Sequence, residues 1–287
     1  MKSIVTGSLG FIGSNLVDKL IEEGHEVLGL DNISTGSLHY LNKKAKFLNL
    51  DIRDNYLENK TIKDFNPEVI FHLAAQSRVQ PSFKTPKFSL ETNSQGTVNI
   101  LELARLIGSR VVYAGSSAFY FDPYANPYVY SKWIGEEHCK LYNKLYNVPV
   151  AIARFFNVFG NRMTSHGENA AVLGIFERQK INNEELTVTG TGEKRRDFCH
   201  VEDICSGLIA MSKDNWNCEI FNLGSGINYS INEVARMFNP IGIKYLPNCP
   251  GEALETLADI SFTTEKLGWT PKHNLKDYIN EFLNQLN

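Results

Sequence analysis

Cysteine is scarce and unpatterned in this sequence of 287 residues. The five cysteines (Cys139, Cys199, Cys205, Cys218 and Cys249) are odd in number and form no C-x-x-C pair. That spacing excludes a disulfide framework or a zinc ribbon and points to reduced thiols in a cytoplasmic protein with no structural metal. Long apolar runs are missing as well. Nothing approaches the roughly 20 residues that a membrane-spanning helix needs, so no membrane partner is expected. The N-terminal segment carries glycines where a secretory leader would need an apolar core. Positive charge is in short supply: 29 Lys and Arg against 32 Asp and Glu leave a net charge of −3. The one tight basic cluster, Lys194, Arg195 and Arg196, is followed at once by Asp197. There is no electrostatic footprint for nucleic acid. Internal repeats and low-complexity tracts are absent too.

What the chain does have begins at its first residues. Lys2–Thr6 is a short apolar run suited to a buried parallel strand. Gly7, Gly10 and Gly13 follow, with Phe11 and Ile12 opening a helical pattern. Gly7 and Gly10 leave the backbone bare where a pyrophosphate must come close, and Gly13 lets the helix pack tightly on the strand. The helix start aims unpaired N–H groups at that phosphate. A second strand pattern, Glu26–Asp31, ends in a carboxylate about 20 residues further on, placed to accept hydrogen bonds from an adenosine ribose. A 2′-phosphate there would meet like charge, so the reading favours NAD over NADP.

Strand and helix patterns then alternate, which predicts an α/β fold with a doubly wound parallel sheet. Further strands are expected at Lys46–Leu50, Glu68–Leu73, Arg110–Ala114, Val148–Arg154 and Glu219–Leu223, with long helices at Phe88–Ile107 and Val129–Tyr146. After Asn157, glycines and prolines punctuate shorter elements. This suggests a Rossmann domain of residues 1–157 and 197–226. A smaller, interwoven C-terminal substrate lobe would comprise 158–196 and 227–287.

The chemistry centres on Tyr128 and Lys132. Four residues apart near a helix start, they share one face, with the ammonium near the phenol. Adjacent positive charge favours phenolate and lowers a pKa that is ordinarily near 10. Tyr40/Lys44 and Tyr56/Lys60 have the same spacing, but only Tyr128/Lys132 follows a strand that ends in Gly115, Ser116 and Ser117. Ser116 or Ser117 can donate to the same substrate oxygen.

Together these segments resemble the NAD-dependent nucleotide-sugar epimerase/dehydratase family of extended short-chain dehydrogenases, nearly end to end. The marks are Thr6 to Gly13, Asp31-Asn32, Asp51 to Asp54, His72 to Gln76, Asn93 to Thr97, Ser116, Tyr128 to Lys132, Arg154 to Gly160, Arg196 to Phe198 and Leu267 to Trp269. The resemblance implies that Phe11 and Ile12 give backbone N–H groups to the pyrophosphate. Asp31 and Asn32, with Ser34 and Thr35 close by, would meet the ribose, while Asp51 and Ile52 flank the adenine. Leu73, Ala74 and Ala75 would line the route to the nicotinamide, and Phe156 would sit beside it. Tyr128 would be the base, Lys132 would tune it and hold the nicotinamide ribose, and Ser116 would bind the reacting oxygen. Asn157 and Arg196 would contact the substrate's diphosphate.

The implied activity is 4-epimerisation of a nucleotide sugar, with an oxidoreductase on the same scaffold or a non-catalytic NAD-binding protein as alternatives. Intact Ser116, Tyr128 and Lys132 argue against the last. A homodimer is implied through the two long helices, where Leu101, Ala104, Trp133, Cys139 and Leu141 supply apolar surface, some of which must face the sheet. Three departures stand out. Ser117 and Ala118 replace the Asp-Glu pair that dehydratases carry. The Ser116–Tyr128 loop is about half the family length. Asn248-Cys249 stands where many members supply a second phosphate-binding arginine.

Overall fold

The computed structural model describes residues 1–57 and 59–286. Twelve strands run in chain order: β1 Lys2–Thr6, β2 Glu26–Asp31, β3 Lys46–Asn49, β4 Val69–His72, β5 Arg110–Ser116, β6 Val150–Phe155, β7 Asn157–Phe159, β8 Leu186–Thr189, β9 Arg195–His200, β10 Asn217–Leu223, β11 Asn228–Ser230 and β12 Ile243–Leu246. The helices are α1 Phe11–Glu22, α2 Lys60–Phe65, α3 Val79–Lys84, α4 Pro86–Leu90, α5 Gly96–Ile107, α6 Pro127–Tyr146, α7 Val172–Ile181, α8 Val201–Met211, α9 Ile231–Met237, α10 Ser261–Leu267 and α11 Leu275–Gln285.

Seven strands form one sheet in the order β10-β6-β5-β4-β1-β2-β3. Every neighbouring pair in it is parallel. This is the doubly wound Rossmann arrangement. Strand order reverses between β1 and β4, and ligands of such sheets bind in the crevice at that switch point. The strands are buried on both sides, which explains their near-continuous apolar runs. On one face Leu16, Val17 and Leu20 of α1 pack with Val201, Ile204 and Leu208 of α8. On the other, Ile62, Phe65, Ile100, Leu101, Leu103 and Cys139 cover the sheet from α2, α5 and α6.

The smaller lobe has its own core of Phe159, Leu173, Phe176, Leu186, Val188, Phe198, Val234, Phe238, Leu275 and Ile279. The division is more interlaced than a pair of cuts. β9 pairs with β7 and β11 in a three-stranded sheet of this lobe, while α8 directly after it returns to the large sheet. Leu267 and Trp269, late in the chain, pack against the large core.

Two expectations are refined. The helix read at Phe88–Ile107 begins earlier, at Pro86, and carries a π-turn at Glu91–Gln95. The extra residue of such a turn re-aims one side chain, and here Asn93 points inward and is 1% exposed. Leu101, Ala104 and Cys139 do not belong to an apolar outer surface: they are at most 1% exposed, packed on the sheet. Trp133 is partly buried. The exposed apolar residues of α5 and α6 are Leu106, Leu141, Leu145 and Tyr146. No helix among the described residues is long and apolar enough to cross a membrane.

Among the described residues one ion pair lies fully buried inside the large domain. Arg154 on β6 donates from Nε and Nη2 to both oxygens of Glu136 on α6, at 3.1 and 2.7 Å. The two side chains are 5% and 0% exposed. The guanidinium lies 3.7 Å from the Phe119 ring centroid. Glu136 also explains Gly115: a Cβ there would stand 2.9 Å from its carboxylate. Burial pushes the Glu136 carboxyl up and the arginine holds it down. Arg154→Met strands this carboxylate without its partner and should cost about 3–5 kcal/mol in denaturant unfolding. Adding Glu136→Leu should recover most of the loss. Equal stability of Arg154→Met and the parent would refute the assignment.

Candidate active site

Three backbone segments meet at the end of β1. Gly7 takes φ +68°, and a Cβ on it would come 2.9 Å from the Ala74 nitrogen. A Cβ on Gly13 would come 2.0 Å from the Gly7 carbonyl oxygen. Only glycine fits at either position. The first turn of α1 follows from Gly10, with no side chain capping it. Its leading N–H groups, at Phe11 and Ile12, are thus left for an anion.

Asp31 closes β2 and is 8% exposed. Its Oδ2 accepts from Leu9 N–H at 2.9 Å and its Oδ1 from Ile33 N–H at 2.7 Å. The carboxylate therefore holds the glycine turn in place, and each oxygen keeps a second lone pair for a ribose hydroxyl. Asn32 Nδ2 donates to Asp51 at 2.8 Å, and Ser34 Oγ donates to Asn32 Oδ1 at 2.7 Å. Arg53 grips both Asp51 oxygens, which keeps that carboxyl well below the usual carboxylate range. Buried Ile52 packs against Gly96. Thr35 lines a cavity of about 240 Å³ with Leu9, Phe11, Tyr40 and Arg162. The bare turn, the uncapped helix and the carboxylate at the second strand fit a dinucleotide. In that position NAD would be held by these residues and by Leu73, Ala74 and Ala75 across the crevice.

Beside the turn lies a chain of hydrogen bonds that the sequence reading did not contain. Thr6 Oγ1 accepts from Leu73 N–H at 3.1 Å and Ala74 N–H at 3.0 Å. Its own hydrogen must then go to His72 Nδ1, 2.8 Å away. That makes His72 Nε2 the protonated nitrogen, donating to Thr97 Oγ1 at 3.1 Å, and Thr97 donates to Asn93 O at 2.6 Å. Asn93 in turn accepts from Gln76 N–H and donates to Gln76 O and to Ser131 Oγ. The π-turn thus ties the segment after β4 to α6.

β5 runs two residues further than its apolar pattern, so Gly115 and Ser116 still pair with β6, Ser116 opposite Phe155. This sets Ser116 at the strand's C-terminal end. Tyr128 OH lies 3.3 Å from Ser116 Oγ, which accepts from Ala118 N–H at 3.1 Å. Asn126 caps α6 by accepting from Val129 N–H, and Pro127 starts it. Lys132 is 6% exposed and donates from Nζ to Ala114 O at 2.8 Å. Burial brings its pKa down to about 8, with Glu136 opposing. Burial raises the Tyr128 phenol, and the Ser116 hydrogen bond and the Arg78 charge act against that rise. The net direction is upward, against the lowering expected from Lys132; Arg78, which the sequence reading missed, is the cation that opposes the rise. Phe156 is buried.

Asn157 Nδ2 donates to Asp197 O at 3.1 Å and to Thr256 Oγ1 at 3.3 Å. Arg196 stands 3.7 Å from Glu252, and Lys194 stands 2.9 Å from the same carboxylate. Lys194 also lies 3.4 Å from the Cys249 carbonyl. A second cation therefore sits at the place where the family's second arginine is missing. His200, Glu202 and His273 bring ligand atoms within 4.8 Å of one another. Their imidazoles stack, with centroids 4.4 Å apart, whereas lone pairs must converge to chelate an ion.

Residues 3–224 match the family described as NAD dependent epimerase/dehydratase. A putative UDP-glucose 4-epimerase of Methanocaldococcus jannaschii is 39% identical, covering 98% of this chain and 97% of that one. UDP-glucuronic acid decarboxylase 1 of Xenopus tropicalis is 31% identical over 97% of this chain and 70% of its own length. The UDP-glucose 4-epimerase of Thermotoga maritima, solved with UDP-glucose, superposes with a TM-score of 0.91 at 30% identity, covering 100% of both chains. The UDP-glucuronic acid 4-epimerase of Bacillus cereus, solved in complex with UDP-glucuronic acid and NAD, superposes with a TM-score of 0.89 at 27% identity over 100% of both chains.

His72 offers a test of the buried relay. Burial brings its pKa down to about 3 from 6.5. Above pH 6.5 the residue is neutral folded or unfolded. Between that value and about 3 only the unfolded chain takes the proton, so stability falls as pH drops, by up to about 1.4 kcal/mol per unit. His72→Asn should unfold more easily at neutral pH but show a flatter acid slope in this window. An unchanged slope in urea titrations would place the imidazole in contact with solvent.

Proposed function

Because the chain belongs to the NAD-dependent epimerase/dehydratase family, we propose that it is a nucleotide-sugar 4-epimerase. The observation that carries this reading is the hydroxyl pair of Tyr128 and Ser116, 3.3 Å apart, followed by Ser117 and Ala118 rather than by acids. The base for a sugar hydroxyl is present, while the acid for elimination at C5 and C6 is not. The relatives' named substrates make uridine diphosphate sugars the first to test.

Bound NAD supplies the hydride acceptor and donor for C4 of the sugar. The chain's residues supply positioning and proton transfer. Tyr128, as phenolate, takes the proton of the 4-hydroxyl. Ser116 Oγ already accepts from Ala118 N–H, so its hydrogen is available to the same sugar oxygen. Lys132 spends one donor on Ala114 O and keeps two for the nicotinamide ribose. Arg196, Lys194 and Asn157 hold the diphosphate, for which Glu252 must yield. Turnover of the 4-keto sugar between the two hydride steps exposes its opposite face, and Tyr128 then returns the proton.

The two chains of a homodimer would meet through α5 and α6, where Leu106, Leu141 and Leu145 stand exposed. Five unpaired cysteines fit a reducing, cytoplasmic compartment.

Incubation with UDP-, GDP-, CDP- and dTDP-sugars, followed by NMR, should reveal one 4-epimeric product without net reduced nicotinamide. Release of reduced cofactor would indicate an oxidoreductase instead. Tyr128→Phe should keep its fold and NAD binding and lose turnover by on the order of 10²–10⁴-fold. Near-full activity would remove Tyr128 as the base and make Tyr130 the next to test. Light scattering at micromolar concentration should give twice the chain mass, and a monomer mass would reject the α5–α6 interface.

A further inference from the structure

Among the described residues Lys132 is the one buried lysine, and no carboxylate comes within ion-pair distance of it. A buried ammonium needs some other source of stabilisation to stay charged. One is the Ala114 carbonyl, which accepts from Nζ at 2.8 Å. The other is aromatic. Nζ stands over the ring of Tyr113 on β5, 5.2 Å from its centroid. At that range the negative face of a ring attracts a cation, and more strongly where the cation has lost its water.

The surroundings of Tyr113 hold its ring in that place. The residue is 1% exposed and pairs with His72 on β4 and Ile152 on β6. The His72 ring stands 5.8 Å away, tilted by 48°, so the relay from Thr6 to Asn93 borders it. α6 closes over it at Gly135, where a Cβ would come 2.2 Å from the Tyr113 hydroxyl oxygen. Any larger residue there would push the helix, and Lys132 with it, away from the strand. The hydroxyl itself makes no hydrogen bond of good geometry among the described residues. What this position gives Lys132 is therefore the ring. The other titratable groups around the ammonium are His72 on β4 and Glu136 and Cys139 on α6. Burial keeps His72 and the Cys139 thiol uncharged. Glu136 favours the ammonium, against the effect of burial.

Resting on the role given to Lys132 in the nucleotide-sugar reading above, we propose that Tyr113 is a positioning residue for the cofactor: its ring face keeps the Lys132 ammonium charged and directed at the nicotinamide ribose. A carboxylate in the ring's place would take up donors of its own. A ring face attracts the charge diffusely, so the N–H groups not spent on Ala114 stay available to the crevice. The buried ammonium is thus held in its charged form by a neighbour that does not compete with the ribose.

The test is calorimetric titration of the full chain, freed of cofactor, with NAD at a series of pH values. In the parent, affinity should fall as pH rises through about 8, where Lys132 gives up its proton. Lys132→Met should bind NAD more weakly and lack that fall. Tyr113→Leu should move the fall to lower pH by about one unit, the tenfold effect of a desolvated cation–π contact. Tyr113→Phe, which keeps the ring, should keep the parental profile. Phenylalanines of increasing ring fluorination, placed at position 113, keep the packing while weakening the ring face. They should lower the transition stepwise, and they carry the test if thermal melts show that Tyr113→Leu does not fold. A transition that stays in place across the fluorinated series overturns the proposal. A Tyr113→Phe profile displaced as far as that of Tyr113→Leu also overturns it, by assigning the effect to the hydroxyl. Parent-like NAD binding by Lys132→Met overturns the role of Lys132 itself, which distinguishes failure of that reading from failure of this one.

Discussion

The structure depends on how closely three pieces of backbone approach at the end of β1. The Gly7 turn, the first turn of α1 and the segment after β4 leave no room for a Cβ at Gly7 or Gly13. A methyl group there would meet backbone atoms of the segments just past β1 and β4, with no flexible side chain to give way. Because the approach is so tight, the N–H groups of α1 face the crevice at the point where strand order reverses. Asp31 then reaches back to Leu9, so the second strand sets the shape of the turn. The cofactor site is a property of the crossing, and helix and strand are both spaced by it.

From that crossing the constraint passes outward through polar groups. Thr6 satisfies two amides after β4 and fixes the proton on His72. Asn93 in its π-turn binds Gln76 in the same segment, and α6 through Ser131. Each of these groups is buried and paired, which is what makes such a network rigid. Arg78, just past the clamped segment, donates from Nε to the Asn169 carbonyl and has no acid within ion-pair distance among the described residues. Glu252, facing Lys194 and Arg196, is the converse: an acid occupying cations that a diphosphate would use.

Much of this was legible in the sequence where the chemistry is local. The glycine spacing, the carboxylate ending β2 and the four-residue step from Tyr128 to Lys132 each need one element and its neighbour. Ser116 could be placed because it directly follows an apolar strand. The relay through Thr6, His72 and Thr97 could not be read, because it depends on the β1–β4 register, which brings Thr6 opposite His72. The inward turn of Asn93 required a π-turn that leaves no mark in the apolar periodicity. Which of Leu101, Ala104, Trp133, Cys139 and Leu141 face the sheet could not be read for a related reason. Helices that cover a sheet on one side and face outward on the other carry apolar residues on both, and spacing does not say which side is which.

The interlacing of the two lobes has a consequence for how the chain is made. The large core is closed by Leu267 and Trp269, and Asp203 draws in the same stretch by accepting from Lys272 N–H and His273 N–H. The small core is closed by Leu275 and Ile279. Between them, β10 must find β6 across more than sixty residues that belong mostly to the other lobe. During synthesis neither core can be sealed before residues past 265 have left the ribosome, so the lobes cannot mature one after the other as separate domains commonly do. Until then the nascent chain holds an unfinished sheet edge and two open apolar faces, and both lobes reach their final packing together.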